Sequence, residues 1–450
     1  MQEQIRQLAL ADPQQRLAAL KSVVCTSLPS LQSAATAPLR INLHAHTIYS
    51  YNGYGYSPAQ LAWLARSSDW YALATVDFDV LDGVDETLAA CEMCGLRGAA
   101  GLETRVSVPD RADTVFNSPG EPGVMYLVGM GFVRGVPQPK ASAVMQQLAS
   151  SAQARNREMI SRLNAYLAPV TVDYERDVRP LTPSGNATER HLLLAYDAAA
   201  RRLYPLRSDL LAYWSARLGL PLDEVARIIG DEPFPHDAVR ARLMKQGGPG
   251  YMAPDPTTFP AIDTVIEAIA ACGALPCYPF VDGTSAGEAD MPALLEDLVA
   301  RGIRAMVVIP DRNWNVADTA RSQELVAKLA AALQAAAGLG LPVFIGTEMN
   351  KPGQLLVDDL SVAALAPHAE QFRQGADMLW GHTALARAAD LGYQSEWAQE
   401  NWPSLAARAR FYTELGAVLA PSRRQIAAIA TLMRHNDPAT CLRALGSATA

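Results

Sequence analysis

Much of what this chain is not follows from what it lacks. No apolar run in its 450 residues approaches the length of a membrane span. The first 29 residues mix charged side chains with leucines and hold no apolar signal core, so the expected location is cytoplasmic. The six cysteines (Cys25, Cys91, Cys94, Cys272, Cys277 and Cys441) are too few and too scattered for a disulfide framework. Cys91-Glu92-Met93-Cys94 falls in an expected helix with no second pair, and reads as two buried free thiols. Basic charge is also short. Lysine and arginine total 38 against 46 acidic residues, a formal charge of −8 that argues against nucleic acid or an anionic membrane as partner. A local basic pocket remains compatible with that balance. Histidine is scarce, at seven, so two placed side by side invite a functional reading.

What is present is a soluble globular composition, half hydrophobic and one-fifth charged, in a chain long enough for two or three domains or one large barrel. Residues 1–39 read as a helical extension. From Arg40 the texture changes to short apolar strands followed by helices. Ser57-Pro58 marks a helix start, an N-cap followed by a first-turn proline, and Leu61, Leu64 and Ala65 form its apolar stripe. Strands are expected at Tyr71–Val76, Gly98–Leu102 and Val124–Gly129, then a helical insertion at about 137–250. The strand–helix alternation resumes with strands at Ala274–Phe280, Arg304–Ile309 and Pro342–Ile345, and a last one is read at Met378–Trp380. Repeated strand–helix units with β-branched strands imply a parallel sheet with helices outside it, and about seven such strands suit a barrel. The expected domains are therefore the extension 1–39, a barrel over 40–380 with its insertion, and a helical extension over 381–450.

The most informative segment is Ile41-Asn42-Leu43-His44-Ala45-His46-Thr47. Its period of two is that of a strand, so both imidazoles leave the same face, where they form a start on a divalent metal site. Other expected strand ends carry polar residues where barrel enzymes build their sites. These are Val76-Asp77-Phe78-Asp79, Gly101-Leu102-Glu103, Cys277-Tyr278-Pro279 and Gly346-Thr347-Glu348-Met349-Asn350. Two imidazoles and two carboxylates from separate strand ends would suit zinc, manganese or iron.

In this order, from about Ile41 to Gly353, the motifs resemble those of the PHP (polymerase and histidinol phosphatase) superfamily of metal-dependent phosphoesterases. Tyr126-Leu127-Val128-Gly129 matches that family's histidine before L-x-G, with Tyr126 in the histidine's place, and Thr188-Glu189-Arg190-His191-Leu192 is similar to its T-R-P-H segment. The resemblance implies a distorted (β/α)7 TIM-like barrel and metal-assisted phosphoester hydrolysis. A full family site holds three metals. Here Phe78, Tyr126, Tyr278 and Asn350 stand where the family has histidines, and Tyr51 or Asn52 where it has an acid. Sorted by metal, the second and third sites lose nearly all their private ligands. The first keeps His44, His46 and Glu103, with Glu348 in place of an aspartate. The expectation is one divalent ion (zinc, manganese or iron) on His44, His46, Glu103 and Glu348.

Around that ion the other candidates take roles. Asp77 is the candidate base, or a group supporting a ligand, and His191 the second catalytic candidate. Arg105 and Arg190 are candidate anion contacts; Tyr126, Tyr278 and Asn350 are candidate substrate contacts. With Phe78, the tyrosines point to a pocket more apolar than a nucleotide site. Tyr49, Tyr51, Tyr54 and Tyr56 form an aromatic loop just after the metal strand. His382 is expected to cap a helix, and His236, His368 and His435 are assigned no role. The partner expected is a small, anionic substrate. The rival reading is a catalytically silent relative that binds one metal or a small ligand.

Overall fold

In the computed structural model, residues 2–27, 38–253 and 258–435 are described, with 437, 438, 440 and 443 beyond them; Cys441 lies outside the described residues. Seven strands form one sheet in sequence order: β1 (Ile41–Ala45), β2 (Ala72–Phe78), β3 (Arg97–Ser107), β4 (Val124–Met130), β5 (Leu275–Phe280), β6 (Ala305–Val308) and β7 (Val343–Ile345). Just past β7 the chain returns to β1. Glu348 pairs with Ala45 in a parallel bridge, the His46 amide donates to the Glu348 carbonyl at 2.7 Å, and the Glu348 amide donates to the His44 carbonyl at 2.8 Å. The sheet is thus a nearly closed, distorted barrel.

That closure needs a glycine. A Cβ on Gly346 would stand 2.3 Å from the His44 Cβ, so only a residue without one lets the end of β7 lie against β1.

Two features depart from a uniform strand–helix repeat. β4 runs antiparallel to both β3 and β5. The β3–β4 connection holds only a short 3-10 turn, Pro109–Arg111, so the chain turns back beside β3 instead of crossing over a helix. The stretch Met378–Trp380 is not a strand. It lies inside the helix Ala369–Ala389, buried on most of its surface, where a short apolar run carries no period that separates helix from strand. His382 lies in the same helix. Rather than capping one, it accepts from the Tyr393 amide at Nδ1 (2.9 Å) and pairs through Nε2 with the Gly131 carbonyl (3.1 Å).

Helices pack outside the sheet as the strand–helix pattern requires. Pro58–Ser67 begins with a complete capping box between Ser57 and Gln60. Val84–Cys94 buries both Cys91 and Cys94; burial pushes the Cys94 thiol up to about 12, so neither is a reactive thiolate. The N-terminal helix Pro13–Ser27 docks through Arg16, which is fully buried. Its guanidinium forks onto Glu86 (2.8 and 2.5 Å) and donates to the Tyr49 hydroxyl (3.0 Å).

Between β4 and β5 the chain builds helices Pro139–Leu167, Glu189–Leu203, Arg207–Leu218, Leu222–Ile228 and Asp237–Met244 around a core of their own, centred on Leu163, Tyr196, Trp214 and Val225. This insertion reaches the barrel mouth. The Asn186 side chain donates to the Phe78 carbonyl (2.7 Å) and the Tyr49 carbonyl (3.1 Å), joining the insertion to the loops after β2 and β1. Among the described residues no helix is long and apolar enough to cross a membrane.

Candidate metal centre

His44, within β1, and His46, one residue past it, face the barrel interior. Glu103 reaches them from β3, across the intervening β2. The three are buried, and one ligand atom of each lies within 4.8 Å of the others. Glu103 Oε2 is 3.0 Å from His44 Nε2 and 3.4 Å from His46 Nε2. Donor atoms around a tetrahedral ion with bonds of 2.0–2.1 Å stand about 3.3–3.4 Å apart. Burial pushes the Glu103 carboxyl up, but His44, hydrogen-bonded to it, and the neighbouring His46 outweigh this and hold the group well below the usual carboxylate range.

The proton on His46 can be placed from its neighbours. Ser50 Oγ donates to Asp77 Oδ1 at 2.6 Å, so its remaining role toward His46 Nδ1, 3.1 Å away, is to accept. His46 therefore carries a proton on Nδ1, and its neutral ring presents a bare Nε2 lone pair toward the Glu103 carboxylate. That Nε2 is buried and makes no hydrogen bond, and His44 Nδ1 is likewise buried without one. Two lone-pair-bearing atoms at 3.4 Å, both away from water, repel unless a proton or a metal ion lies between them. The donor set and the orphaned nitrogen fit a divalent ion. Phe78 stacks on the other side of His46, with ring centres 4.3 Å apart, and fixes the ring's plane.

Asp77 supports this arrangement from the end of β2. It accepts from the Thr47 amide (2.9 Å) and hydroxyl (2.7 Å), and from the Ser50 amide (3.1 Å) and hydroxyl (2.6 Å). With four donors on two oxygens it holds the loop after β1 and orients His46 through Ser50, as partners behind metal ligands do. Oδ1 accepts three of these hydrogen bonds and Oδ2 one, and the carboxylate is buried among the groups it holds. The loop itself is packed. Tyr49 donates to Glu86 (3.1 Å), Tyr51 lies edge-on to His191, and only Tyr54 is well exposed, stacked on Tyr56.

The structure does not bring Glu348 into the cluster. Glu348 and Met349 both adopt left-handed backbone, with φ of 62° and 55°, and the Glu348 carboxylate turns to other partners. Asn350 Nδ2 donates to Oε2 at 2.9 Å, and Arg312 forms an ion pair with Oε1. Burial pushes this carboxyl up, but the Arg312 charge holds it below its ordinary value. Arg312, in the short helix Asp311–Trp314 that follows β6, is a site residue that motif reading passed over; an arginine three residues after an expected strand end was the available signal. Asn350 is thereby spent on Glu348.

The remaining candidates scatter. His191 closes a capping box at the start of Glu189–Leu203, its Nδ1 accepting from the Thr188 amide at 3.1 Å, which leaves its proton on Nε2. Burial pushes its pKa down to about 4, so it is neutral at pH 7 and donates rather than accepts. Arg190 pairs with Asp237 (2.9 Å) and lies over Tyr51. Tyr278 is fully buried and donates to Glu288 (2.6 Å), so its hydroxyl does not meet a ligand. Arg105 and Tyr126 are paired across β3 and β4. Arg105 contacts Glu121 at 3.1 Å, while the Tyr126 hydroxyl makes no hydrogen bond among the described residues.

No family model matches the sequence, and no curated protein is similar to it. Among solved structures, the chain is similar to an amidohydrolase from Chromobacterium violaceum with bound sulfate and no metal. The identity is 15% and the TM-score 0.45, over 74% of this chain and 96% of that one. It is also similar to a protein described as a metal-dependent phosphoesterase from Bifidobacterium adolescentis. There the identity is 19% and the TM-score 0.46, over 75% and 97% of the two chains. Likeness at this level carries no argument about the chemistry of the site.

Proposed function

We propose that the chain is a metal-dependent hydrolase of the PHP type, with one divalent ion held by His44, His46 and Glu103 and phosphoester hydrolysis as its reaction class. The observation that carries this reading is the bare, buried Nε2 of His46 aimed at the Glu103 carboxylate. Two imidazoles and one carboxylate form a ligand set that leaves positions open for water and substrate, suited to zinc, manganese or iron. When bound, such an ion acts as a Lewis acid and lowers the pKa of its water toward about 7.

The chain's own residues supply the rest. Ser50 and Asp77 hold the His46 tautomer, and Phe78 keeps water from that side of the ring. Arg312, near Glu103 and accessible at the mouth, supplies positive charge toward an anionic substrate.

A second reading has its own observation. Asp77 is buried and committed to four donors of the loop after β1, and His191 is a donor, so apart from the ligands neither candidate base is offered at the mouth. That favours a protein that binds metal without turnover. Hydrolysis of aryl phosphates and aryl esters with added zinc, manganese or iron(II) separates the two. The hydrolase reading predicts ion-dependent turnover that falls to background in His44→Ala and Glu103→Gln. Tight ion binding with no turnover on either panel contradicts it and favours the second.

A further inference from the structure

Away from the ligands, the barrel mouth holds a guanidinium that the fold does not use. Arg155, on the insertion helix Pro139–Leu167, has a side chain only 17% exposed. Among the described residues it makes no hydrogen bond. Its closest carboxylate oxygen, Asp79 Oδ2, is 3.9 Å away, and the other oxygen of Asp79 already accepts from Thr104 (2.6 Å). Arg155 Cζ lies 4.7 Å from the centre of the Phe259 ring, and Arg105 Cζ lies 4.7 Å from the same ring. The ring face attracts both cations but leaves Arg155's N–H donors unmatched.

Two guanidiniums gathered on one recessed ring repel each other, and burial together with Arg105 pulls the Arg155 pKa down. Nearby carboxylates do not balance them. Glu121 is taken by Arg105 (3.1 Å) and by the Ser118 hydroxyl (2.5 Å), and Glu189 is shared by Arg240 (2.7 Å) and Lys245 (2.9 Å). With Arg190 and the Asp237 it shares with Arg240, five cations (Arg105, Arg155, Arg190, Arg240, Lys245) thus face four carboxylates (Asp79, Glu121, Glu189, Asp237). The unpartnered Tyr126 hydroxyl lies near Arg105 and adds a neutral donor. Such a grouping of forked donors matches the geometry of a phosphate or carboxylate.

We propose that Arg155, Arg105 and the Tyr126 hydroxyl form an oxyanion subsite that takes a second anionic group of the substrate, apart from the group that reacts. Arg105 is two residues beyond Glu103 on the same face of β3, about 7 Å further along the strand. The subsite is thus one rung above the metal ligands, and the insertion completes it by bringing in Arg155. That this group belongs to the substrate rests on the hydrolase reading; the subsite itself does not.

The test is calorimetric titration of the full chain, stripped of metal with a chelator, with inorganic phosphate and, separately, with malonate. Binding of either that weakens at least tenfold in Arg155→Met, with unchanged melting temperature, supports the subsite, and the tighter probe tells phosphate from carboxylate. Arg155→Lys keeps the charge and loses the fork. It is expected to bind several-fold more weakly than wild type, and it serves if the methionine variant is unstable. No binding of either anion, or equal binding in wild type and both variants, overturns the proposal. Because the ion is absent, a failure here leaves the metal site untouched, and absent hydrolysis leaves anion binding untouched.

Discussion

The two sides of the barrel mouth treat their polar groups differently. On the β5–β7 side the candidate site residues close on neighbours: Tyr278 on Glu288, Asn350 and Arg312 on Glu348. On the β1–β3 side the supporting residues are just as fully bonded, but they use those bonds to leave His46 Nε2 bare beside Glu103. Both sides descend from motif positions that look alike in sequence. A fold satisfies its buried polar groups wherever it can, because each unmade hydrogen bond costs about 1–3 kcal/mol. The side that withholds one from a partner is the side where a ligand is expected.

The histidines sharpen this contrast most. His382 has both ring nitrogens matched in the neutral form, and burial pushes its pKa down to about 4 from the ordinary 6.5. The unfolded chain therefore takes up the proton first as pH falls. The stability His382 confers is fully present above about pH 6.5 and is lost as pH falls toward 4. By pH 5 the loss from this residue is about 2 kcal/mol. Urea unfolding at pH 7.5 and pH 5 should show it, and His382→Gln should remove that part while leaving the part due to His191, which burial depresses in the same way. An equal pH response in the variant would mean that His382 is not held neutral.

A smaller effect is expected at Ser50. Ser50→Ala removes the acceptor that fixes the His46 tautomer without touching a ligand atom. Metal affinity should fall by about 10–100-fold, while Asn350→Ala, on the closed side, should leave it unchanged. Equal losses in the two variants, measured by competition with a chromophoric chelator, would erase the distinction between the sides.

How much of this was legible in the sequence follows from which features are local. His44 and His46 share a face because a strand has a period of two, and Glu103 stands at the end of a readable strand, so the three-residue cluster was visible in the residues themselves. The seven strands were legible for the same reason, apart from the run at Met378–Trp380, whose apolar residues belong to a buried helix. Three features were not legible because they arise between segments far apart in the chain. Glu348 was expected among the ligands, but a left-handed backbone and an arginine from the preceding strand–helix unit turn it away. Ser50 matters only because its loop folds back onto Asp77. Arg155 sits fifty residues from Arg105 and meets it only through the docking of the insertion against Phe259. The direction of β4 likewise depends on a connection too short to hold a crossover helix.

The central claim is that the open side binds one ion. Its most direct test is metal content by elemental mass spectrometry on untagged protein, beside His44→Ala/His46→Ala. The account predicts about one divalent ion per chain, absent from the double variant. Two or three ions per chain, or none after reconstitution, would contradict it.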